Sequence, residues 1–241
     1  MARKLSKIKE LIESKEKPFY HFLEEVIDTD VFNFIELLSQ TTNVFLFSGI
    51  IRNYFLKNST IRDVDIVIES DEGIQSLLEK YEYRINSFGG YKVMINRMEV
   101  DIWRMDKTWA INHHQTILNF DLDKYLPNTA FFNFSAIIYS INKKEFIYTK
   151  HFLRFLRDKK MDVVYIPNAN YHLCVVNSFY YSDKYNLKFS KKLSETIKKI
   201  HSRIDKDYSS VQKKHFGEIL YKNVEIDDRL QNLNEDFNST S

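Results

Sequence analysis

The chain has 241 residues, with 35 Lys and Arg against 33 Asp and Glu, for a formal net charge of +2. That length allows one large domain or two small ones, each able to bury a core, and the near balance excludes a global field that would gather nucleic acid or an acidic partner. A single cysteine, Cys174, excludes an internal disulfide framework, and its neighbours Leu173, Val175 and Val176 read as a buried thiol in a reducing compartment.

Met1 to Glu10 is basic but lacks the continuous apolar run of a secretory signal, and no later run approaches membrane-spanning length. A cytoplasmic protein that does not enter a membrane is expected.

Phe22, Val26, Phe32, Ile35 and Leu38 fall at helical spacing, with a break at Asp28 to Asp30, so two short helices are predicted within an N-terminal lead-in (1–42) that packs on the core. Val44 to Phe47 reads as a short buried strand, and Ser48 as the cap of a helix that follows it. The next strand, Val64 to Ile68, puts Asp63 and Asp65 on one face and Val64, Ile66 and Ile68 on the other. Ile74, Leu77, Leu78 and Tyr81 then predict an amphipathic helix that returns the chain to the sheet.

Past Gly89 and Gly90, Tyr91 to Ile95 and Met98 to Trp103 alternate around Asn96-Arg97, as a hairpin whose second strand presents Asp101 opposite Met98, Val100 and Ile102. A second hairpin, Ser135 to Ser140 and Glu145 to Tyr148, closes an α/β unit spanning 43–150 with a mixed sheet. Helices are predicted over His151 to Arg157, Ala169 to Tyr181 and Leu193 to Ile204, within a smaller helical domain (151–226). The stretch from Asp227 lacks apolar residues to bury and reads as a mobile tail.

The chemistry concentrates in Ser48-Gly49-Ile50-Ile51-Arg52-Asn53 and Asp63-Val64-Asp65. A glycine at the mouth of a helix lets backbone N–H groups approach a phosphate, and the helix N-terminus favours the negative charge. Ser48 and Gly49 would hold a triphosphate, with Arg52 as a fork donor one turn on. Two carboxylates a pleat apart beside such a cradle form a clamp for Mg²⁺ or Mn²⁺, which takes oxygen ligands from protein and phosphate together. Asp101 is the third carboxylate expected on a neighbouring strand.

Each element alone has a duller reading: a solvated Asp pair, a helix cap, a surface arginine. His113 and His114 diverge on either a strand or a helix, so they do not make a metal site. The tyrosines Tyr165, Tyr171, Tyr180, Tyr181 and Tyr185 read as core and rim before base-stacking platforms, and Lys191, Lys192, Lys198 and Lys199 as a solvated helix face before a polyanion track.

Taken in order, these motifs resemble the nucleotidyltransferase superfamily typified by DNA polymerase β, and within it the head domain of bacterial poly(A) polymerases and CCA-adding enzymes. Ser48-Gly49-Ile50-Ile51-Arg52-Asn53 stands where that branch has Gly-Gly-x-Val-Arg-Asp, and Phe132-Asn133-Phe134-Ser135-Ala136 is similar to a later family strand. The resemblance covers residues 43 to 190. It departs at Ser48 and Asn53, at Ala130-Phe131 in place of an Arg-Asp pair, and at Val175 to Ser178, where nucleotide-reading arginines would stand.

What the resemblance implies is an α/β (α+β) fold, a mixed-sheet nucleotidyltransferase domain followed by a smaller helical domain. It further implies transfer of a nucleoside monophosphate from a nucleoside triphosphate to an acceptor hydroxyl, through metal held by Asp63, Asp65 and Asp101, with the two ions stabilising attacking and leaving oxygens. The acceptor expected is nucleic acid or protein. The alternatives are a small-molecule nucleotidyltransferase and a catalytically silent nucleotide-binding relative. A full CCA-adding enzyme is disfavoured by the missing neck arginines.

Overall fold

In the computed structural model, which describes residues 4–47, 49–58, 61–86, 89–108, 111, 122–168 and 170–233, three helices come first. These are α1 (Leu5–Glu13), α2 (Glu16–Val26) and α3 (Thr29–Ser39). The break between α2 and α3 has a direct cause, since the Asp28 carboxylate accepts from the Asp30 backbone N–H and caps α3. Phe19 of α2 is fully buried, its ring against Phe22, Tyr54, Tyr139 and Phe146.

The sheet strands are β1 (Val44–Phe47), β2 (Asp63–Ile68), β3 (Glu82–Ile85), β4 (Tyr91–Ile95), β5 (Met98–Arg104), β6 (Ile137–Ser140) and β7 (Glu145–Tyr148). They form one seven-stranded sheet in the order β3-β4-β5-β2-β1-β6-β7. β2 and β5 run parallel and the other pairs are antiparallel, so the sheet is mixed, and the chain has the α/β fold expected of it. The short helix α4 (Gly49–Phe55) follows β1, and α5 (Ile74–Leu78) follows β2.

Strand alternation gives the sheet two unequal faces. Leu46, Val64, Ile66, Val100, Ile102 and Tyr139 point into the main core, which runs as one apolar cluster from Ile8 to Leu230. The opposite face carries Phe45, Val67 and Ile138 under a smaller cluster with Met105 and Leu126. Asp63 and Asp65 have the same parity as Val67 along β2, so they lie on this second face, where the sheet has less apolar cover.

The β4–β5 hairpin is held from both ends. Asn96, at φ 54° in the turn, donates from Nδ2 to Asp28 and Asp30 at the start of α3. At the far end, a Cβ on Gly90 would come within 2.8 Å of the Trp103 ring and 2.9 Å of the Ile102 carbonyl, so only glycine fits there.

After the four-residue α6 (Leu122–Tyr125) and the β6–β7 hairpin, the chain turns helical: α7 (Lys150–Asp158), α8 (Tyr171–Tyr185), α9 (Lys191–His201), α10 (Ser209–Phe216) and α11 (Asn223–Asn232). Thr149, Asn170 and Ser190 cap the first three through side-chain oxygens. A two-stranded pairing of β8 (Lys160–Met161) with β9 (Lys188–Phe189) ties α7 to α8. No helix among the described residues is long and apolar enough to cross a membrane.

Several elements depart from the sequence reading. β3 is an edge strand absent from the sequence reading; Tyr83 and Ile85 alternate with Glu82 and Arg84, but a run of four residues is too short to separate from the helix expected through Tyr81. The strand expected from Ser135 begins at Ile137, because residues 133–135 form a 3₁₀ turn. The stretch from Asp227, read as a tail with nothing to bury, continues α11 to Asn232. Ile226 and Leu230, one turn apart, are its buried contacts, too few to register as a periodic pattern.

Cys174 is 5% exposed, and burial pushes its thiol up to about 12. The native protein is therefore expected to leave Ellman's reagent uncoloured at pH 8 and to release one equivalent of thiol after denaturation. Native reaction at the rate of a free thiol would contradict this burial.

Candidate active site

Four carboxylates meet on adjacent strands. In the parallel β2–β5 pair Asp65 is opposite Asp101 and Asp63 is opposite Glu99, and neighbouring strands lie about 5 Å apart. The start of α4 at Gly49 and the last turn of α10 flank this edge. Together they enclose an open cleft of about 530 Å³, lined by all four carboxylates. Four cations face them: Arg52, Arg62, Lys92 and Lys214.

The carboxylates differ in what holds them. Asp63 is gripped by its neighbour, with Arg62 Nη2 2.6 Å and Nε 3.1 Å from Asp63 Oδ2. Lys92 Nζ lies 3.0 Å from each Asp101 oxygen, hydrogen-bonded to Oδ2, and also donates to Glu99. No hydrogen bond or ion pair among the described residues reaches Asp65. Burial, with the like charges of Asp63 and Asp101 behind it, pushes the Asp65 carboxyl up to about 7 against the opposing pull of Arg52 and Arg62. Burial also raises Asp101, although Lys92 opposes it.

Arg52 forms the floor between this cleft and the helical half. It is 9% exposed, with its guanidinium carbon 4.5 Å from the Tyr181 ring centroid and 5.6 Å from that of Tyr185. Its Nε donates at 3.3 Å to Asn53 Oδ1, which also accepts from the Tyr185 hydroxyl at 2.7 Å. Asn53, noted in the sequence as a departure from the expected Asp, thus joins α4 to α8. Tyr185→Phe is expected to lower stability by about 1 kcal/mol, the net worth of one such hydrogen bond, in urea unfolding; an unchanged midpoint would deny the joint any weight.

The structure brings Gly49, Arg52, Asp63, Asp65 and Asp101 to one cleft. Ser48, His113 and His114 lie outside the described residues. Sequence reasoning missed Lys92, Glu99, Tyr181 as a cation platform, and Lys214 with His215, whose pKa is lowered by burial and then by Arg62. Gly217, at φ 80°, ends α10 two residues after His215. The lysine stripe goes elsewhere, with Lys192 and Lys199 beside a separate groove containing Ile166 and Ile200. Ala130 and Phe131 are buried core residues.

Among the described residues, no ready-made group of three His, Cys, Asp or Glu side chains is set to cage a metal ion. A clamp that shares its ion with substrate phosphates needs fewer protein ligands than a cage.

Solved structures of similar fold are found. A CCA-adding enzyme in complex with ATP superposes with a TM-score of 0.65 at 14% identity, over 88% of this chain and 54% of that one. The chain has a nucleotidyltransferase fold. The Thermotoga maritima CCA-adding enzyme complexed with tRNA gives a TM-score of 0.63 at 14% identity, over 89% of this chain and 53% of the enzyme. A tRNA nucleotidyltransferase complexed with a primer tRNA and an incoming ATP analog gives 0.52 at 16%, over 68% and 48%. The chain thus spans about half the length of these nucleotidyltransferases. No family model and no curated protein sequence matches it.

Proposed function

We propose that this chain is a metal-dependent nucleotidyltransferase that moves a nucleoside monophosphate from a nucleoside triphosphate to a hydroxyl of an RNA acceptor. The observation that carries the reading is the cleft itself, where Asp63, Asp65 and Asp101 share one sheet edge with the start of α4.

The residues fit a divalent cation. The Asp65 carboxylate has no hydrogen-bond or ion-pair partner among the described residues, and hard oxygen donors are what Mg²⁺ and Mn²⁺ take. Space also remains beside Gly49, where an added Cβ would meet nothing nearer than Arg52 Nη2 at 4.0 Å. A phosphate group can occupy that space. A bound cation supplies charge neutralisation at the transferring phosphate.

Asp63 and Asp65 would hold the ion, and Gly49 and Arg52 would orient the triphosphate. Asp101 completes the carboxylate set. The bond formed joins the acceptor oxygen to the α-phosphorus, and the bond broken is that to the bridging oxygen. Pyrophosphate leaves with the electron pair, and the hydroxyl proton is released. Arg62 and Lys184, which line the adjoining part of the cleft, give a polyanionic acceptor a basic approach.

In this reading residues 43–150 form the catalytic unit, residues 151–226 supply the helical wall that carries Tyr181 and His215, and the reaction takes place in the cytoplasm. The ATP and tRNA named in the structures of similar fold support a triphosphate donor and an RNA acceptor. One observation favours a second reading, a silent nucleotide-binding relative: Asp63 and Asp101 are already ion-paired.

Incubation with each α-³²P-labelled nucleoside triphosphate, Mg²⁺ and total RNA, beside Asp65→Asn, separates the two. Label in RNA that requires Asp65 supports the transferase, and label in protein or a small product moves the acceptor. Triphosphate binding without transfer would replace it with the silent relative.

A further inference from the structure

We propose that Lys92 is a fixed cation standing in place of a second metal ion at Asp101, so that this cleft binds one divalent cation and not two. The inference rests on the metal-dependent reading above and deepens it.

The hairpin builds the pair. A two-residue turn at Asn96 and Arg97 sets Lys92 directly opposite Asp101 across β4 and β5, which puts both side chains on the same face of the sheet. Lys92 Nζ then sits 3.0 Å from both oxygens of Asp101 and also donates to Glu99, so one ammonium group bridges two carboxylates. Mg²⁺ requires oxygen ligands at about 2.1 Å in near-octahedral array. An ammonium centred on the carboxylate occupies that space.

The two ion pairs of the cleft are unequal. Arg62, which grips Asp63, has 67% of its side chain exposed, while Lys92 has 25% and Asp101 13%. An exposed pair contributes little and yields readily to a competing ion, whereas breaking an enclosed one strands a charge. A cation arriving at Asp65 can therefore displace Arg62 from Asp63 but meets Lys92 fixed at Asp101.

The test is a titration of the full chain with Mn²⁺ alone, free ion being read by electron paramagnetic resonance. Wild type is expected to bind one Mn²⁺ per chain, and Lys92→Met to bind two. Asp101→Asn in the Lys92→Met background should return the number to one. Lys92→Gln serves as the second variant, with circular dichroism as the check that each is folded. Two ions in wild type would overturn the proposal and leave the transferase reading intact. A single ion in both Lys92 variants would overturn it equally. No ion in wild type would remove the metal-dependent reading and this inference with it.

Discussion

Asp65→Asn is expected to abolish nucleotidyl transfer and, in metal-free protein at neutral pH, to raise the melting temperature. The catalytic loss follows from the site. Charge stabilisation by a bound metal amounts to several kcal/mol, so its removal should lower kcat by about a thousandfold or more at 1.36 kcal/mol per decade. The stability gain follows from the same burial. The Asp65 carboxyl is pushed from 3.8 up to about 7, chiefly by desolvation and then by the charges of Asp63 and Asp101.

The sign is fixed by linkage. Below the unfolded value of 3.8 the group is protonated in both states and costs nothing. Between there and about 7 the unfolded chain ionises while the folded one resists, so the fold loses stability as pH rises, and above about 7 the loss is complete. The full shift corresponds to at most about 4 kcal/mol, and because the side chain keeps some surface open to the cleft, about 2 kcal/mol is the better figure. For a chain of this size that is roughly 4 to 8 °C. Calorimetry of both proteins at pH 4 and pH 7.5 in chelator checks it. The melting difference should be present at pH 7.5 and nearly absent at pH 4, and equal melting at both would deny that Asp65 is a strained charge.

Much of this site was legible because short-range rules produced it. The alternation Asp63-Val64-Asp65-Ile66 states which side chains share a face, and the hairpin around Asn96 and Arg97 places Asp101 on a strand. The same hairpin holds the signal for Lys92, since a two-residue turn fixes every cross-strand partner. Lys214 and His215 carried no such signal. They reach the cleft from a helix some 150 residues away in sequence, placed by the packing of α10 on α8 and by the stop at Gly217. β3 was hidden for a different reason, because its alternation of Tyr83 and Ile85 with Glu82 and Arg84 lasts only four residues at the sheet edge. Tyr181 looked like any core aromatic until the fold laid Arg52 across its ring.

Arg52→Met is expected to weaken binding of ATP about tenfold to a hundredfold while leaving the fold at least as stable. A hydrogen-bonded charge is worth roughly 1.5 to 3 kcal/mol to a partner anion, and no carboxylate among the described residues forms an ion pair with this guanidinium. Arg52 is thus a largely buried cation whose neighbours are rings and an amide, at the floor of a cleft proposed to take a triphosphate. Its stacking on Tyr181 contributes about 1 to 2 kcal/mol, which the desolvation of the charge offsets. Methionine restores the apolar volume against Tyr181 and Phe134 without the desolvation cost. Isothermal titration with ATP and urea unfolding measure the two halves separately. Arg52→Lys keeps the charge but loses the planar fork and should bind nearly as poorly as Arg52→Met. Full ATP affinity in Arg52→Met, together with a lowered unfolding midpoint, would make Arg52 a strut between α4 and α8 and remove it from the triphosphate site.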